Sequence, residues 1–368
     1  MASQVIVVED DKQSADKLAA TLRSSKDFEV AATYKTATLA LGQSKMFKPD
    51  LFLIDVDDGT AIPLIASFVN LYPNARILGT LDSWQSKIVY DCLKAGVDGC
   101  ILKSFTVEEI KKSLELYELR GQNRPARVIS FFSPKGRAGR TTAASLLALK
   151  IAEKSGERVA LIDADLQFGD MPIFFDVEPK HTIIEASQDI KLLNPLTFEQ
   201  YFCKLKDGLS LLASSNQPEY AELVDAENFI EVIRMTCTLF RYVLIDLPAG
   251  FNPISISTCD LSGTSVLMVM LDNVFDIYHM RRALEMFQTF RRGQKRIYTC
   301  FTRVNPCTEE ERLKIQRELG YPVTDILPNE YQMISLANSG RLLKDLPSDS
   351  VFLQYIEKLA DDVINDRR

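Results

Sequence analysis

Histidine is almost missing from this chain. His181 and His279 are the only two in 368 residues. That argues strongly against a histidine-rich metal site and against a relay of two histidines. Tryptophan occurs once, at Trp84. No apolar run approaches the length of a membrane span. The longest is the few residues around Val266 to Leu271. The opening Met1-Ala-Ser-Gln leads straight into a strand-like segment without a basic region and an apolar region behind it, so no secretory leader is expected. Internal repeats and low-complexity tracts are absent. The seven cysteines are Cys92, Cys100, Cys203, Cys237, Cys259, Cys300 and Cys307, an odd number with no CxxC pair. Most lie in apolar segments and read as reduced, buried thiols of a cytoplasmic protein. Neither sign of charge dominates: 43 Lys and Arg face 50 Asp and Glu, a net charge of −7. The first 120 residues carry 14 basic and 17 acidic residues, the remainder 29 and 33. Neither part is a basic nucleic-acid module. What the chain does have is 46% hydrophobic and 25% charged residues, the proportions of a globular core. Its length suits two or three domains. Its chemistry must come from carboxylates, cationic side chains and backbone amides.

The first 120 residues alternate short apolar runs (5–8, 28–31, 51–54, 77–79, 99–102) with helix-length segments (13–22, 36–43, 62–70, 83–95, 106–118). Five such pairs predict an α/β domain with a doubly wound parallel sheet. In the last helix Ile110, Leu114 and Tyr117 form one core-facing stripe. The polar stretch from Arg120 to Arg127, broken by Gly121 and Pro125, is the best linker. A second α/β pattern then starts at Val128, with strand-like runs at 128–132, 159–162, 209–213, 243–245, 266–271 and 297–301. The expected division is 1–120, a linker at 121–127, and 128–368.

In a parallel doubly wound sheet the strand C-termini share one edge, where sites form. In the first domain that edge collects Glu9 and Asp10, Asp55, Thr80 and Lys103. Such a set suits acyl phosphate formation: a carboxylate attacks phosphorus, acids hold Mg²⁺, and a hydroxyl and an ammonium meet the phosphoryl oxygens. The runs VIVVEDD, PDLFLID, ILGT and KAGVDGCILKSF resemble the receiver domains of two-component response regulators over about residues 3–118. The resemblance implies Glu9, Asp10 and Asp55 as Mg²⁺ ligands and Asp55 as phosphoacceptor. It implies Thr80 as switch hydroxyl and Lys103 as phosphate-contacting lysine, with a histidine kinase as upstream partner. The loop Val56-Asp57-Asp58-Gly59 is shorter than usual in that family, Ser104 replaces a proline, and Cys100 replaces an aromatic. A receiver fold kept for docking and dimerisation is the competing expectation.

The run Ser133-Pro-Lys-Gly-Arg-Ala-Gly-Arg-Thr-Thr142 lies between a strand and a helix. A Gly-containing turn ahead of a helix N-terminus cradles phosphate with backbone amides. The run is similar to the deviant Walker A motif, KGGxGKT, of the ParA/MinD ATPases. By that resemblance Lys135 is the signature lysine that reaches a partner subunit's phosphates. Lys135, Gly136, Arg137, Ala138, Gly139, Arg140, Thr141 and Thr142 form the nucleotide loop. Thr141 supplies the Mg²⁺-binding hydroxyl. Arg137 stands in place of a glycine and Arg140 in place of the P-loop lysine, a planar fork instead of a compact ammonium. Two further motifs follow in the family's order. LIDADLQ implies Asp163 near Mg²⁺ and Asp165 in hydrolysis, and YVLIDLP resembles Walker B with Asp246 as an outer Mg²⁺ ligand. Thr302 and Arg303 fall where relatives carry the Asn-Arg pair that reads adenine, and Pro328 lies in a later base-side loop.

The last helix, about 351–364, has Phe352, Ile356, Leu359 and Val363 on one stripe but no basic face, so it is expected to pack on the core rather than on lipid. His279-Met-Arg-Arg282 reads as a solvated face or a partner contact, and Trp84 as a packed residue of the fourth helix.

A receiver-like domain joined to a ParA/MinD-like domain resembles the CpaE/TadZ proteins of Flp (Tad, type IVb) pilus assembly; DLQFGDM and LPNEY add to that resemblance. It implies a cytoplasmic, homodimeric nucleotide-binding scaffold. ATP and Mg²⁺ would bias dimerisation with weak or no hydrolysis. Its partners would be the pilus secretion ATPase and other assembly proteins, which would recruit it to the inner face of the membrane. Two alternatives stay open. One is an active ParA/MinD-type ATPase that positions DNA or a cell-surface machine. The other is a response regulator controlled by phosphorylation.

Overall fold

The computed structural model describes residues 2–120, 125–290, 296–304, 308–342, 346–347 and 349–366. Positions 121–124 of the expected linker and Cys307 lie outside them. The chain divides into two compact units: Met1–Ala126 with Lys191–Thr197 and Arg234–Arg241, and the remainder.

The first sheet contains β1 (Ser3–Val8), β2 (Phe28–Tyr34), β3 (Leu51–Asp55), β4 (Arg76–Leu81) and β5 (Gly99–Leu102). Its order is β2-β1-β3-β4-β5, and every pairing is parallel. The intervening helices are α1 (Lys12–Arg23), α2 (Ala37–Gln43), α3 (Ile62–Leu71), α4 (Ser86–Ala95) and α5 (Val107–Arg120). Both faces of this sheet are covered. Ile6, Val8, Phe52 and Ile54 enter one apolar cluster; Val5, Val7, Leu51 and Leu53 enter another. Strand alternation makes that split, since neighbouring side chains point to opposite faces. Asp11 caps α1 through the Ser14 amide, 2.7 Å away. Gly96 ends α4 in the left-handed conformation, φ 111°. Helix α4 starts three residues later than the sequence suggested. Trp84 therefore precedes it, half-buried against the core, with its ring nitrogen buried and unpartnered.

The second sheet follows the order β13-β12-β11-β6-β10-β7-β9-β8. Its strands are β6 (Arg127–Phe132), β7 (Val159–Asp163), β8 (Cys203–Lys206), β9 (Leu209–Leu212), β10 (Tyr242–Asp246), β11 (Thr264–Met270), β12 (Arg296–Val304) and β13 (Asp325–Pro328). All pairings are parallel except β8 with β9. The two strands not expected from the sequence are the edges. β8 alternates half-buried and exposed residues, and β13 ends in proline. Neither has the buried apolar run that marks a central strand.

After β6 the chain also forms α6 (Arg140–Ser155), α7 (Met171–Phe175), α8 (Ile183–Asp189), α9 (Pro195–Phe198), α10 (Ala226–Leu239), α11 (Pro253–Leu261), α12 (Val274–Gln288), α13 (Glu309–Leu319), α14 (Tyr331–Asn338) and α15 (Val351–Ile364), most of α9 and the last turns of α10 being grouped with the first unit. Helix α15 buries Phe352, Leu353, Tyr355, Ile356, Leu359, Ala360 and Val363 in one core with α6. Lys150 meets Glu357 at 3.3 Å and Lys154 meets Asp361 at 2.8 Å, closing the rim of that contact. The apolar stripe is thus a core face. The six described cysteines are thiols, five of them buried.

Candidate functional site

Two strand-edge sites emerge, one in each unit. In the first, β5 delivers Lys103 into a ring of carboxylates. Its Nζ lies 2.9 Å from Glu9 Oε2, 3.2 Å from Asp55 Oδ1, 2.9 Å from Asp57 Oδ2 and 3.6 Å from Asp82 Oδ2. Burial alone would lower the Lys103 pKa, but the hydrogen bonds to Glu9, Asp57 and Asp55 carry it above its ordinary value. Burial raises the pKa of Glu9, and the Asp55 charge adds to it; burial likewise raises Asp55, helped by Asp57. Asp55 and Thr80 are partners across β3 and β4, and the Thr80 hydroxyl is buried without a hydrogen-bond partner. Asp10 is exposed in the same loop and is not among the Lys103 partners. Sequence reasoning missed the part played by Asp57 and Asp82. Asp57 receives the Asp82 amide at 3.0 and 3.1 Å on its two oxygens, joining the loops after β3 and β4.

In the second unit the turn between β6 and α6 is shaped by two left-handed residues, Arg137 (φ 66°) and Gly139 (φ 77°). The first is the conformation glycine takes freely, now held by an arginine. The Ser133 hydroxyl donates to the Lys135 carbonyl within the turn. A cavity of about 400 Å³ opens here, lined by Arg137, Ala138, Gly139, Arg140, Thr141 and Thr142 on one side and by Thr302, Arg303 and Pro328 on another. Asn329 and Glu330 of the same base-side loop as Pro328 join them, and Asp170, Phe174, Met333, Asn338 and Phe352 complete it; the sequence did not single out these last five for the site.

Arg140 is only 8% exposed, and its Nη1 is buried without a hydrogen-bond partner. The Thr141 hydroxyl donates to Asp246 Oδ2 at 2.5 Å, while Asp246 Oδ1 is buried and unpartnered. An unmatched guanidinium nitrogen at a helix N-terminus fits an anion. An unmatched carboxylate oxygen beside a threonine hydroxyl fits a hydrated Mg²⁺, which binds through few protein groups plus phosphate and water. Among the described residues no three His, Cys, Asp or Glu side chains are grouped as a metal held by protein alone would need.

Asp163 and Asp246 end adjacent strands in register and are each 1% exposed. Burial, then the charge of Asp246, pushes the Asp163 carboxyl up to about 8, and burial raises Asp246 to about 6. Asp163 accepts from Ser214 Oγ at 3.0 Å and from the Met171 amide at 3.2 Å through Oδ2, and from the Asp165 amide at 3.3 Å through Oδ1. Gly169 leaves room for this: a Cβ there would lie 2.1 Å from Ser214 Oγ and 2.4 Å from Asp163 Oδ2. Asp163, Asp165 and Asp246 lie outside the cavity lining, as do Lys135 and Gly136.

Lys135 is exposed, with its Nζ 3.5 Å from Asp276 Oδ1. Asp276 is held in turn by the Asp272 and Asn273 amides, each at 3.0 Å. Thr302, expected beside a base, donates its hydroxyl to the Ala138 carbonyl at 3.1 Å and braces the turn.

The profile of the CobQ/CobB/MinD/ParA nucleotide binding domain matches residues 129–343, well over half of the chain. The chain belongs to this nucleotide-binding family. The profile of the response regulator receiver domain matches residues 5–115. An uncharacterised ATP-binding protein of Methanocaldococcus jannaschii is 27% identical over 168 residues, 44% of this chain and 60% of that protein. A second protein so described from that organism is 26% identical over 247 residues, 65% of this chain and 88% of that protein. The septum site-determining protein MinD of Helicobacter pylori is 25% identical over 230 residues, 58% and 82% of the two chains.

Among solved structures, a ParA family ATPase from Chlorobium tepidum superposes with a TM-score of 0.58 at 18% identity, covering 64% of this chain and 98% of that one. The Pyrococcus furiosus cell division ATPase MinD gives 0.55 at 20% identity, over 65% and 99%. MinD of Pyrococcus horikoshii, solved with Mg-ADP, gives 0.54 at 20% identity, over 65% and 96%. These likenesses establish a P-loop α/β fold of the MinD/ParA type for the later part of the chain, and the receiver profile with the five-stranded parallel sheet establishes a receiver-like α/β unit before it. Among the described residues no helix is long and apolar enough to cross a membrane.

Proposed function

We propose that this protein is a nucleotide-loaded scaffold that helps assemble or place Flp (Tad, type IVb) pilus machinery, with weak or no ATP hydrolysis. On this reading residues 1–120 are a receiver-like docking domain, 121–127 a linker, and 128–368 the nucleotide domain. The observation that carries it is the altered phosphate turn. Arg140 is buried beside the cavity with an unmatched nitrogen, and Arg137 occupies a backbone conformation suited to glycine. Arginine supplies charge for phosphate but not the compact ammonium of a hydrolytic P-loop. Arg140 and the amides of 136–142 would hold the phosphates of ATP. Thr141 and Asp246 would hold hydrated Mg²⁺, with Asp163 behind them. When bound, that ion would neutralise phosphate charge. Lys135, outside its own cavity and paired with Asp276, would exchange that carboxylate for the phosphates of a second copy.

Homodimerisation would present a surface to the pilus secretion ATPase and other assembly proteins. Those partners would bring a cytoplasmic protein to the inner face of the membrane. That a related MinD is solved in complex with MinC supports partner binding by this fold. The net charge of −7 argues against nucleic acid as the partner.

ATP titration with and without Mg²⁺, reading dimer mass and phosphate release together, tests the proposal. Binding with dimerisation and negligible turnover is expected. The second reading, an active ParA/MinD-type positioning ATPase, draws on the presence of Asp163, Asp165 and Asp246. Steady turnover that disappears in Asp165→Ala would establish it instead. A response regulator with this output unit, fed by a histidine kinase, is the third reading and depends on Asp55.

A further inference from the structure

The Lys103 cluster has more acids than a phosphoacceptor site needs. We propose that Asp57 decides whether Asp55 can accept a phosphoryl group, because the Asp57 carboxylate already occupies the groups an incoming phosphoryl would use. Three contacts fix it. Its Oδ2 lies 2.9 Å from Lys103 Nζ. Its two oxygens take the Asp82 amide at 3.0 and 3.1 Å. Its own amide donates to Asp55 Oδ1 at 3.1 Å. Asp57 therefore stands beside Asp55 as an internal anion, bonded to the ammonium and to a backbone N–H of the loop after β4. The Thr80 hydroxyl is left without a partner.

Phosphoryl transfer would form a bond from an Asp55 oxygen to phosphorus and break the bond from phosphorus to the donor's leaving group, which departs with the electron pair. The product adds negative charge where Glu9, Asp55, Asp57 and Asp82 already surround one ammonium within 4 Å. Like charges at that range in a half-buried site disfavour the product. The new group must also displace Asp57 from Lys103 and from the Asp82 amide. The first unit thus holds its two site loops together without phosphorylation. This inference does not depend on nucleotide binding and would survive the loss of the ATP reading.

The test uses the full chain with Mg²⁺ and acetyl phosphate, followed by intact-protein mass spectrometry. The wild type should gain little or no phosphoryl mass. Asp57→Ala should be labelled about tenfold faster or more, as expected when one charge leaves a half-buried cluster. Adding Asp55→Asn to that variant should abolish the label. Asp57→Asn, which keeps an acceptor for the Asp82 amide and removes only the charge, should be labelled faster than wild type and decides the matter if the alanine variant misfolds. Rapid labelling of wild-type Asp55, or a folded Asp57→Asn protein no faster than wild type, overturns the proposal.

Discussion

Asp163 sits in a strand end with almost no water and an acid of like charge in the next strand. Its raised pKa, about 8 against an ordinary 3.8, has a definite sign. The folded state keeps a proton that the unfolded state loses, so the stability this group lends is complete at low pH. It declines as pH rises from about 4 and is gone above about 8. Replacing it with Asn, which can still accept from Ser214 and Met171, should flatten that decline. Urea titrations of both proteins at pH 5 and 8 should show the Asn variant gaining relative stability at the higher pH.

Gly169 makes a second prediction at this scale. Gly169→Ala should lose about 2 kcal/mol or more, because the new methyl meets the Ser214 and Asp163 oxygens; the urea midpoint reads it. Arg137→Gly separates backbone from ligand. Relief of the left-handed strain offsets the entropy of an added glycine, so stability should stay within about 1 kcal/mol. Affinity for a triphosphate should fall about tenfold with one cavity-lining charge removed, as read by titration with a fluorescent nucleotide.

These residues also show what a sequence can disclose. Asp55, Asp163 and Asp246 end buried apolar runs, and that pattern places them on the strand edge without any tertiary knowledge. Asp57, Ser214 and Asp276 gave no such signal. Each acquires its role from a partner in another element: Lys103, Asp163 and Lys135 respectively.

Among the elements, the central strands and the helices of the first unit follow directly from hydrophobic periodicity, because both neighbours of each central strand bury it; α10, α12 and α13 are not drawn from it. Nor are the edges β8 and β13. Four residues with one covered side carry too little pattern to separate them from loop, and β13 becomes a strand only by pairing with β12. Helix α15 is the opposite case. Its stripe and its lack of a basic face already point to the core rather than lipid, and burial against α6 bears that out. Ile356 is fully buried there, so Ile356→Ala should cost about 3 kcal/mol. Vesicle flotation of the intact chain should show no binding that depends on this helix. A stable Ile356→Ala protein, or flotation lost with that variant, would contradict the packing described.

For the molecule as a whole, the two sites share a composition. Both rely on carboxylates with lysine or arginine; His279 enters only at the margin, its Nδ1 3.7 Å from the Asp276 Oδ1 that Lys135 also meets. ATP at a hundredfold excess over its dissociation constant should add about 2.7 kcal/mol to the unit that binds it. On the proposed reading that gain would fall in the second unit, and a method blind to location would report only an average.

The half-buried indole before α4 supplies the location. Trp84 is the chain's sole tryptophan and belongs to the first unit. Its emission is a built-in optical reporter for that unit and is silent about the unit with the phosphate turn. Circular dichroism, in contrast, sees the helices of both. If nucleotide shifts the dichroism curve and leaves the indole curve in place, the two units unfold independently. If both curves move together, the units communicate, and no label need be attached to find out.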